Sequence, residues 1–526
     1  MFSKKITSMI FIIFVMVMTF SEFEHVSAAY KPKLKKTKIS LEIGEKYKLS
    51  LKKKKSGISV LWSSEDSSVA TVTKKGTVKG VSEGETVVNC IVTYKKKTFN
   101  LTCVVTVHGT HGEIKGRQGV NISATGVSYV LRCARISSLQ QFLYMDEGLA
   151  YAYMVEDTLM VVTSTKELMI KSKYNLLGDV IADEDGYIYV VWGKENETDD
   201  ATVETVVITK YDKDGKEIKS TGFVGKSLPW GNSDSAKTKT PFRSGNCVST
   251  IHDGILFCYH SKRRYDGHQC DQVVAVKTET MEEYELPNNT YAGHSFDQAV
   301  LYSDLAGELL FADLGDCYSR GFRVNRVGAK YGVDREIIFH TYLRANAGYD
   351  MSVVNKTFAQ LGGLGETSKG VVLAGASVKA LGADAETQKQ NLFVQIFKPS
   401  SGEISKDMFI GGSDRKGETA ISMFDTETTD VTDYGVIWLT DYTDKDVVAP
   451  QIVTKDDRIV LFWNEYDGSE KSYYMILSES GDVVKKKTSL GEICLNSFEK
   501  PLYYDGKIYW AYAKSGNIEV KSLDIK

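Results

Sequence analysis

Short runs of alternating apolar and polar residues, closed by glycines, fill the first part of the chain after its N-terminal segment. A strand turns its side chains to opposite faces in alternation, so this period of two predicts β-strands with one buried face. The pattern predicts an antiparallel sandwich over residues 30–108 with Trp62 in its core. The runs occupy residues 41–43, 47–49, 60–62, 87–94 and 98–107.

Beyond residue 120 the pattern changes to a loose repeat, in which a turn with Gly or Asp precedes an apolar, aromatic strand. Units recurring every 40–60 residues or so, with no convincing long helix, are typical of a β-propeller. We expect seven blades, with six or eight as alternatives, and an extra strand pair or insertion between Gly370 and Arg458. The repeat anchors are residues 148–151, 186–192, 254–257, 307–311, 370–373, 458–463 and 506–510.

The stretch from Trp62 to Val72, followed by Gly76-Thr77-Val78-Lys79-Gly80-Val81 and then Gly84, resembles the group 2 bacterial immunoglobulin-like domain. That resemblance implies a β-sandwich domain of a secreted or surface protein. The later repeats are similar to propeller repeats in secreted proteins of Gram-positive bacteria. The predicted fold is therefore all-β, an Ig-like sandwich followed by a propeller.

Residues 1–29 have the order of a secretory signal peptide. Lys4 and Lys5 precede an apolar run of about 12 residues, and small residues at Ala28 and Ala29 mark the cleavage site. The run is shorter than the roughly 20 residues of a spanning helix. The predicted order is signal peptide, Ig-like domain at 30–108, linker at 109–119 and propeller at 120–526. We expect a secreted protein, attached to the cell wall non-covalently if at all.

Charge divides the chain into a basic and an acidic part. Residues 30–108 carry 17 Lys and 6 acidic residues, whereas residues 109–526 carry 46 basic and 60 acidic residues. One interpretation is ordinary solubilising surface charge. The other is docking of Lys33–Lys38, Lys52–Lys55 and Lys95–Lys97 onto anionic wall polymer or lipid headgroups. The composition and the predicted export argue against a nucleic-acid partner.

A short internal echo with the pattern G-H-x-x-D-Q-x-V begins at Gly267 and again at Gly293. His, Asp and Gln together donate and accept hydrogen bonds, which suits a hydroxyl-rich ligand in the propeller funnel. The alternative is a structural hydrogen-bond motif that locks neighbouring blades. The candidate ligand-binding residues are His268, Asp271, Gln272, His294, Asp297, Gln298, Asp316 and Arg320.

Cysteine and histidine supply a second candidate site. A hairpin centred on Arg264 would place Cys258 opposite Cys270 and His260 opposite His268, a rectangle that could hold tetrahedral zinc. A disulfide, free thiols or a role of the histidines in the echo are the alternatives, and Cys247 could also meet Cys258. Cys90 and Cys103 could form a disulfide across the last hairpin of the Ig-like domain. Apart from a possible zinc ion, no cofactor is expected.

Familiar catalytic signals are missing from the sequence, including a nucleophile elbow, a zinc-protease motif and a P-loop. Acid pairs such as Glu465 with Asp467 could serve a glycosidase. The favoured hypothesis is a non-catalytic surface binding or adhesion protein whose propeller binds cell-wall polymer or an extracellular glycan or protein. The alternatives are a polysaccharide lyase or hydrolase with its site near His268, His294 and Arg320, and a structural surface-layer component.

Overall fold

The computed structural model describes most of the chain from Tyr30 onward, and the predicted signal peptide lies outside the described part. Two compact units divide between His111 and Gly112. The described ranges are 30–82, 84–108, 115–118, 140–145, 148–200, 202–225, 238–242, 246–265, 267, 269–286, 295–315, 321–326, 337–341, 359–379, 388–399, 406–412, 420–421, 428–429, 431–432, 434–492, 495 and 500–525.

The N-terminal unit is a sandwich of two sheets, ordered β1-β7-β6-β3 and β2-β5-β4. Alternate residues of β6 and β7, such as Val88, Val92 and Val105, are fully buried between the sheets. Trp62 on β3 packs against this core while remaining half-buried. The strands are β1 Lys38–Glu42, β2 Lys46–Lys48, β3 Ser59–Ser64, β4 Ala70–Val72, β5 Thr77–Gly80, β6 Gly84–Tyr94 and β7 Lys97–His108.

The first sheets of the C-terminal unit are antiparallel. The first contains β8 Gln140–Met145, β9 Gly148–Val155, β10 Thr158–Val162 and β11 Glu167–Lys171. The second contains β12 Leu176–Ala182, β13 Ile188–Gly193, β14 Glu204–Tyr211 and β15 Glu217–Val224. In the third, β16 Thr238–Pro241 and β17 Cys247–His252 share one edge of β18 Ile255–Arg264, and β19 Gln269–Lys277 pairs with the other edge.

An insertion within the fifth sheet pairs with the fourth sheet. The fourth contains β20 Ser295–Ser303, β21 Glu308–Gly315, β22 Gly321–Arg326 and β23 Ile337–Thr341, and the fifth begins with β24 Gln360–Glu366, β25 Val371–Ser377 and β26 Asn391–Phe397. The insertion holds a 3₁₀ turn at Lys406–Met408, the strand pair β27 Ala420–Ile421 and β28 Thr428–Thr429, and β29 Val431–Thr432, which pairs with β23. β30 Val436–Trp438 completes the fifth sheet. The extra strand pair predicted after Gly370 is therefore present.

Two further sheets complete the unit. The sixth contains β31 Asp446–Lys455, β32 Arg458–Tyr466, β33 Glu470–Ser478 and β34 Val483–Ser489, and the seventh contains β35 Leu502–Tyr504, β36 Lys507–Lys514 and β37 Asn517–Asp524. Arg117 forms a bridge with Ile518, so part of the predicted linker lies against β37 at the outer edge of the last sheet. The first strand of each sheet contacts the first strand of the next sheet, and in the third sheet the contacting strand is β17. The ring closes because β8 of the first sheet contacts β36 of the seventh.

This closed ring of sheets, with the first segment of the unit pairing onto the last sheet, is the architecture of a β-propeller. Seven sheets of the ring are seen in the described ranges, and the blade number itself stays a prediction. The core lies between neighbouring sheets, because both faces of each sheet carry apolar residues. In the third sheet, Cys258 and its same-face neighbours pack toward the second sheet, while Phe257 and Tyr259 pack toward the fourth. No helix in the described ranges is long and apolar enough to cross a membrane.

Candidate functional site

The second copy of the sequence echo ends in a hydrogen-bonded connection between two sheets. Gln298 at the start of β20 is 2% exposed, and Asn246, just before β17, is 7% exposed. The Asn246 backbone N–H donates to Gln298 Oε1 at 3.1 Å, and Asn246 Nδ2 donates to the Gln298 carbonyl at 3.0 Å. The Gln298 backbone N–H donates to Asn246 Oδ1. Gln298 therefore joins the third sheet to the fourth.

Asp297 sits in a β-bulge beside this connection. Its φ of 45° breaks the register of β20 between Phe296 and Gln298. Oδ2 of Asp297 accepts the backbone N–H of Leu361 at 3.4 Å, which links the fourth sheet to the fifth. The second copy thus contributes structural contacts on both sides of its sheet, in agreement with the interpretation of the echo as a locking motif.

The first copy occupies a different place in its sheet. Asp271 and Gln272 lie on β19, the third strand in the order of the sheet, whereas Asp297 and Gln298 lie on the first strand of theirs. Gln272 Oε1 accepts a hydrogen bond from Lys262 Nζ at 3.1 Å, and both side chains are almost completely buried. Repetition in sequence therefore does not produce equivalent positions in the fold.

Asp271 belongs to a buried polar cluster between the third and fourth sheets. The Tyr259 hydroxyl lies 2.5 Å from Asp271 Oδ2 and 3.1 Å from Asp313 Oδ2. All three side chains are fully buried. Burial, and after it the charge of the two carboxylates, raises the pKa of Tyr259. The hydroxyl therefore stays protonated and donates hydrogen bonds to the carboxylates. The other four ligand candidates of the sequence, His268, His294, Asp316 and Arg320, lie outside the described residues.

The predicted register of the Cys–His hairpin is wrong. Cys258 lies opposite Val274, His260 opposite Gln272, and Cys270 opposite Lys262. The turn is displaced toward β19, which shifts the pairing by four residues and leaves Cys258 and Cys270 far apart along the ladder. Because the shift is even, Cys258, His260 and Cys270 still share one face, as predicted. Within the described ranges, no three His, Cys, Asp or Glu side chains are grouped as metal ligands would be; the fourth proposed ligand, His268, is not described.

The last hairpin of the Ig-like domain also differs in register from the prediction. Its turn is at Lys95 and Lys96, so Cys90 lies opposite Leu101 and Cys103 opposite Val88. Both cysteines are free and fully buried, which contradicts the proposed disulfide. Their burial raises the pKa of each thiol to about 11, so both act as small apolar core residues.

A different pair of thiols does come together. Cys247 on β17 and Cys258 on β18 are both free, and their sulfur atoms are 3.4 Å apart in the core between the second and third sheets. His260 lies opposite Cys247 and packs edge-on against Phe242. His260 is fully buried, and its Nε2 atom has no hydrogen-bond partner among the residues that the structure describes. Burial lowers the pKa of His260 to about 4, so the ring is neutral at pH 7.

The described group of side chains best suited to meet a ligand lies where the fifth and sixth sheets meet. We call it the Glu465 cluster, and Glu465 itself, at the end of β32, is 5% exposed. Lys487 Nζ on β34 is 3.0 Å from Glu465 Oε1, and Lys445 Nζ is 3.6 Å from Glu465 Oε2. The full cluster is Tyr442, Lys445, Trp463, Glu465, Tyr473 and Lys487.

Aromatic rings surround these charges. Tyr442 donates its hydroxyl hydrogen to Glu465 Oε1 and accepts a hydrogen bond from Lys487 Nζ at 3.0 Å. The Lys487 ammonium also lies 4.7 Å from the ring centre of Tyr473, which stacks on Trp463 at 6.0 Å. Burial, and then the bond to Glu465, raise the pKa of Tyr442, so its hydroxyl remains protonated.

The two lysines keep part of their surface in solvent, since the Lys445 side chain is 25% and the Lys487 side chain 38% exposed. Tyr442 and Tyr473 are half-buried. The cluster thus presents aromatic ring surface beside fixed donors, while its central carboxylate is already neutralised. Such a surface can bind a polyol by ring packing and hydrogen bonds. The sequence pointed to Glu465 only as one of many carboxylates, because its partners come from three separate segments.

Glu470, at the start of β33, is a second carboxyl of interest that the sequence reasoning missed. Its burial raises its pKa to about 7, although a hydrogen bond from Asn464 Nδ2 at 3.2 Å opposes that shift. Glu470 lies opposite Tyr466 on the face of the sheet that carries Asn464, whereas Glu465 lies on the other face with Trp463. Asp467 accepts hydrogen bonds from Ser469 within the β32–β33 turn, which lowers the pKa of Asp467.

The comparisons with known proteins identify one part of the chain by sequence. Residues 31–105 match the family of bacterial Ig-like domains (group 2). The N-terminal unit therefore contains the predicted bacterial Ig-like domain. No curated protein matches the chain.

Several solved structures are similar to the chain at low sequence identity. A quinonprotein alcohol dehydrogenase-like protein from Bacteroides thetaiotaomicron is 12% identical, with 88% of this chain and 97% of that chain covered and a TM-score of 0.33. The Hadza microbial sialidase Hz136 is 12% identical, with 79% and 76% covered and a TM-score of 0.34. An endo-arabinase from Bacteroides thetaiotaomicron is 11% identical, with 66% and 94% covered and a TM-score of 0.29. The ring of sheets, rather than these low scores, carries the propeller assignment.

Proposed function

We propose that this protein is a secreted, cell-surface-associated binding protein whose propeller binds a glycan through the Glu465 cluster. The Ig-like domain acts as a spacer at the cell surface. Export is supported by the charged, apolar and small-residue order of residues 1–29 and by the Ig-like domain that follows it. The chemistry of the propeller surface supports the glycan.

The single observation that carries the proposal is the combination of fixed polar groups and half-buried rings in the Glu465 cluster. Glu465 holds Lys487 and Tyr442 in place, so these donors lose little conformational freedom when a ligand binds. Tyr442 and Tyr473 add rigid ring surface against which the C–H groups of a sugar can pack. A hydroxyl-rich ligand matches both features.

Retention of the mature protein on immobilised neutral cell-wall polysaccharide tests this function. The variant is Lys487→Met, which keeps the aliphatic stem and removes the ammonium that contacts Glu465 and Tyr442. We expect retention to fall about tenfold, equivalent to roughly 1.4 kcal/mol of binding free energy. The matched control is Lys486→Met, because Lys486 is the preceding residue of the same strand and is exposed.

Tyr473→Leu supplies a second, independent variant, since it removes ring surface without changing charge. We expect it to weaken retention as well, with an unchanged far-ultraviolet circular dichroism spectrum. Equal retention of the wild type, Lys487→Met and Tyr473→Leu would show that the Glu465 cluster is not the binding surface.

A second function, glycoside hydrolysis or elimination, is favoured by one observation. Glu470 has a pKa raised to about 7, as a general acid at neutral pH requires. Hydrolases of the common two-carboxylate type use acids that flank one bond, however, and Glu465 and Glu470 occupy opposite faces of their sheet. This arrangement makes binding the better supported function.

Release of reducing or unsaturated sugar from the same polysaccharide separates the two functions. An enzyme acting through Glu470 should release sugar, and Glu470→Gln should abolish the release while retention continues. Binding without turnover by the wild type supports the binding function. Turnover that survives Glu470→Gln would exclude Glu470 as the acid.

A further inference from the structure

The Ig-like domain carries its positive charge in one continuous strip, which we call the lysine ribbon. It comprises residues 30–38, 46–55, 74–75 and 94–97 and contains 16 of the 17 lysines of residues 30–108. None of the six acidic residues of residues 30–108 belongs to it. Every one of its lysines is exposed. Ordinary solubilising charge is interspersed in sign, whereas these segments contain lysines and no acidic residue.

Backbone contacts show that the ribbon runs along the domain. The Tyr30 hydroxyl donates to the Lys53 carbonyl at 2.9 Å. Further along, the Lys52 N–H donates to the Lys33 carbonyl at 2.8 Å, and the Lys35 N–H donates to the Ser50 carbonyl at 2.9 Å. Residues 30–36 therefore lie antiparallel to residues 50–53, and the lysines of both segments lie side by side.

Both ends of the ribbon continue this strip. At one end, Lys48 donates a hydrogen bond from Nζ to the Lys75 carbonyl, which brings residues 74–75 into contact with β2. At the other end, Lys55 Nζ lies 5.5 Å from the ring centre of Tyr30 and 6.0 Å from that of Tyr94. The ribbon therefore extends from the β4–β5 turn to the β6–β7 turn.

The second end also carries an aromatic group beside the charges. The rings of Tyr30 and Tyr94 meet edge to face at 5.0 Å, and Phe99 lies 6.4 Å from Tyr30. All three rings are half-buried. Lys95 Nζ is 5.6 Å from the Tyr94 ring centre, so the ammonium groups stand over the ring faces. Cleavage at the predicted signal-peptide site near Ala28 or Ala29 would add the α-amino group of the mature chain next to Tyr30.

We propose that the lysine ribbon binds an anionic glycopolymer of the cell wall, with phosphate or carboxylate groups along the ribbon and a sugar ring against Tyr30 and Tyr94. A linear polyanion can contact a long strip of lysines at many points, each of which adds attraction. A flat anionic membrane would contact only the part of the strip that faces it. The inference concerns the N-terminal unit and is independent of the ligand of the propeller, although it requires export of the chain.

The test measures binding of the full mature protein to poly(glycerol phosphate), with neutral dextran as the uncharged comparison. We expect stronger binding to poly(glycerol phosphate) than to dextran. Binding to poly(glycerol phosphate) should fall at least tenfold between 50 mM and 500 mM salt, because salt screens exposed charges over about 10 Å at 0.1 M. Vesicles of phosphatidylglycerol in phosphatidylcholine form the membrane arm. Stronger binding to these vesicles than to the polymer would overturn the assignment of the partner.

Two triple variants locate the surface. The first replaces Lys53, Lys54 and Lys55 by Gln, and the second replaces Lys33, Lys35 and Lys52 by Gln. The control replaces the exposed propeller residues Lys216, Lys486 and Lys507 by Gln, which changes net charge equally.

We expect each ribbon variant to lose at least tenfold in polymer binding, the control to lose less than twofold, and circular dichroism to remain unchanged. Equal losses in all three would reduce the effect to net charge and refute the ribbon as a site. Retention on neutral polysaccharide through the Glu465 cluster should be the same in every one of these variants, so failure of either proposal leaves the other standing.

Discussion

Gln298 offers a direct test of whether the sequence echo is a ligand site or part of the scaffold. Gln298→Ala removes the Oε1 atom that accepts the Asn246 backbone N–H at 3.1 Å. Both residues are buried, so that N–H is left without its acceptor in a site that is closed to solvent. An unsatisfied buried polar group costs about 1–3 kcal/mol. Truncation of the buried side chain stem adds to that loss.

The expected change in melting temperature follows from the size of the unit. Unit 2 spans Gly112–Lys526. At about 2.1 cal/mol/K per residue, a chain of some 400 residues has an unfolding entropy near 0.85 kcal/mol/K. A loss of about 3 kcal/mol therefore lowers the melting temperature by about 3–4 °C, provided that the propeller unfolds as one cooperative unit.

A double-mutant cycle isolates the connection between the sheets. Asn246→Ala removes the acceptor of the Gln298 N–H and the donor to its carbonyl, so it should cost at least as much as Gln298→Ala. The two substitutions remove different bonds of one connection, and the loss of either set frees the residue that makes the other. The double variant should therefore be less destabilised than the sum of the single variants. Asn175→Ala, an exposed asparagine of the same unit, is the control and should change little.

The measurement is calorimetric or fluorescence-detected unfolding, together with polysaccharide retention. A structural role predicts lower stability with retention unchanged below the transition. If Gln298→Ala instead weakened retention while the melting temperature stayed at the wild-type value, the locking interpretation would be refuted and the ligand role of the echo restored.

Three further predictions concern single residues. Burial depresses the pKa of His260 to about 4, so the free energy of unfolding should be highest above pH 6.5 and should fall by at most about 3 kcal/mol as the pH drops toward 4. Urea unfolding of His260→Phe should show a smaller fall over this pH range, and a pH profile equal to that of the wild type would contradict the assignment. The pKa of Glu470 is raised to about 7, so the free energy of unfolding should instead fall as pH rises from 4.5 to 7. In the same assay, Glu470→Gln should abolish that fall, and at pH 8 the variant should be no less stable than the wild type. Gly76 has a φ of 78°, and an added Cβ would lie 2.7 Å from the Trp62 ring. Gly76→Ala should therefore destabilise the Ig-like domain by about 2 kcal/mol, measured by proteolysis-monitored unfolding. Gly57→Ala is the control and should destabilise the domain less, because the space around Gly57 is open.

The sequence alone determined the class of both units, because strand periodicity and turn chemistry are local. Alternation on β6 and β7 follows from apolar residues at every second position, and the Asp253-Gly254 turn between β17 and β18 has both residues at positive φ, as a two-residue hairpin requires. The Trp62 and Gly76 pattern identified the Ig-like domain for the same reason, since the glycine permits the turn and leaves room for the ring.

Register and long-range pairing were decided by the tertiary structure. A displacement of the β18–β19 turn changed the partners of Cys258 without changing its face, because alternation fixes the face of a side chain and the turn fixes its neighbour. Gln272 and Gln298 share a sequence motif, but Gln272 lies on the third strand of its sheet and Gln298 on the first strand of the next sheet, so their hydrogen-bond partners differ. The Glu465 cluster joins residues of β32, β33 and β34 with the segment that precedes β31, and strand pairing within the sixth sheet brings them together. Spacing along the chain carries little information about such contacts, because they depend on the register of each strand pair.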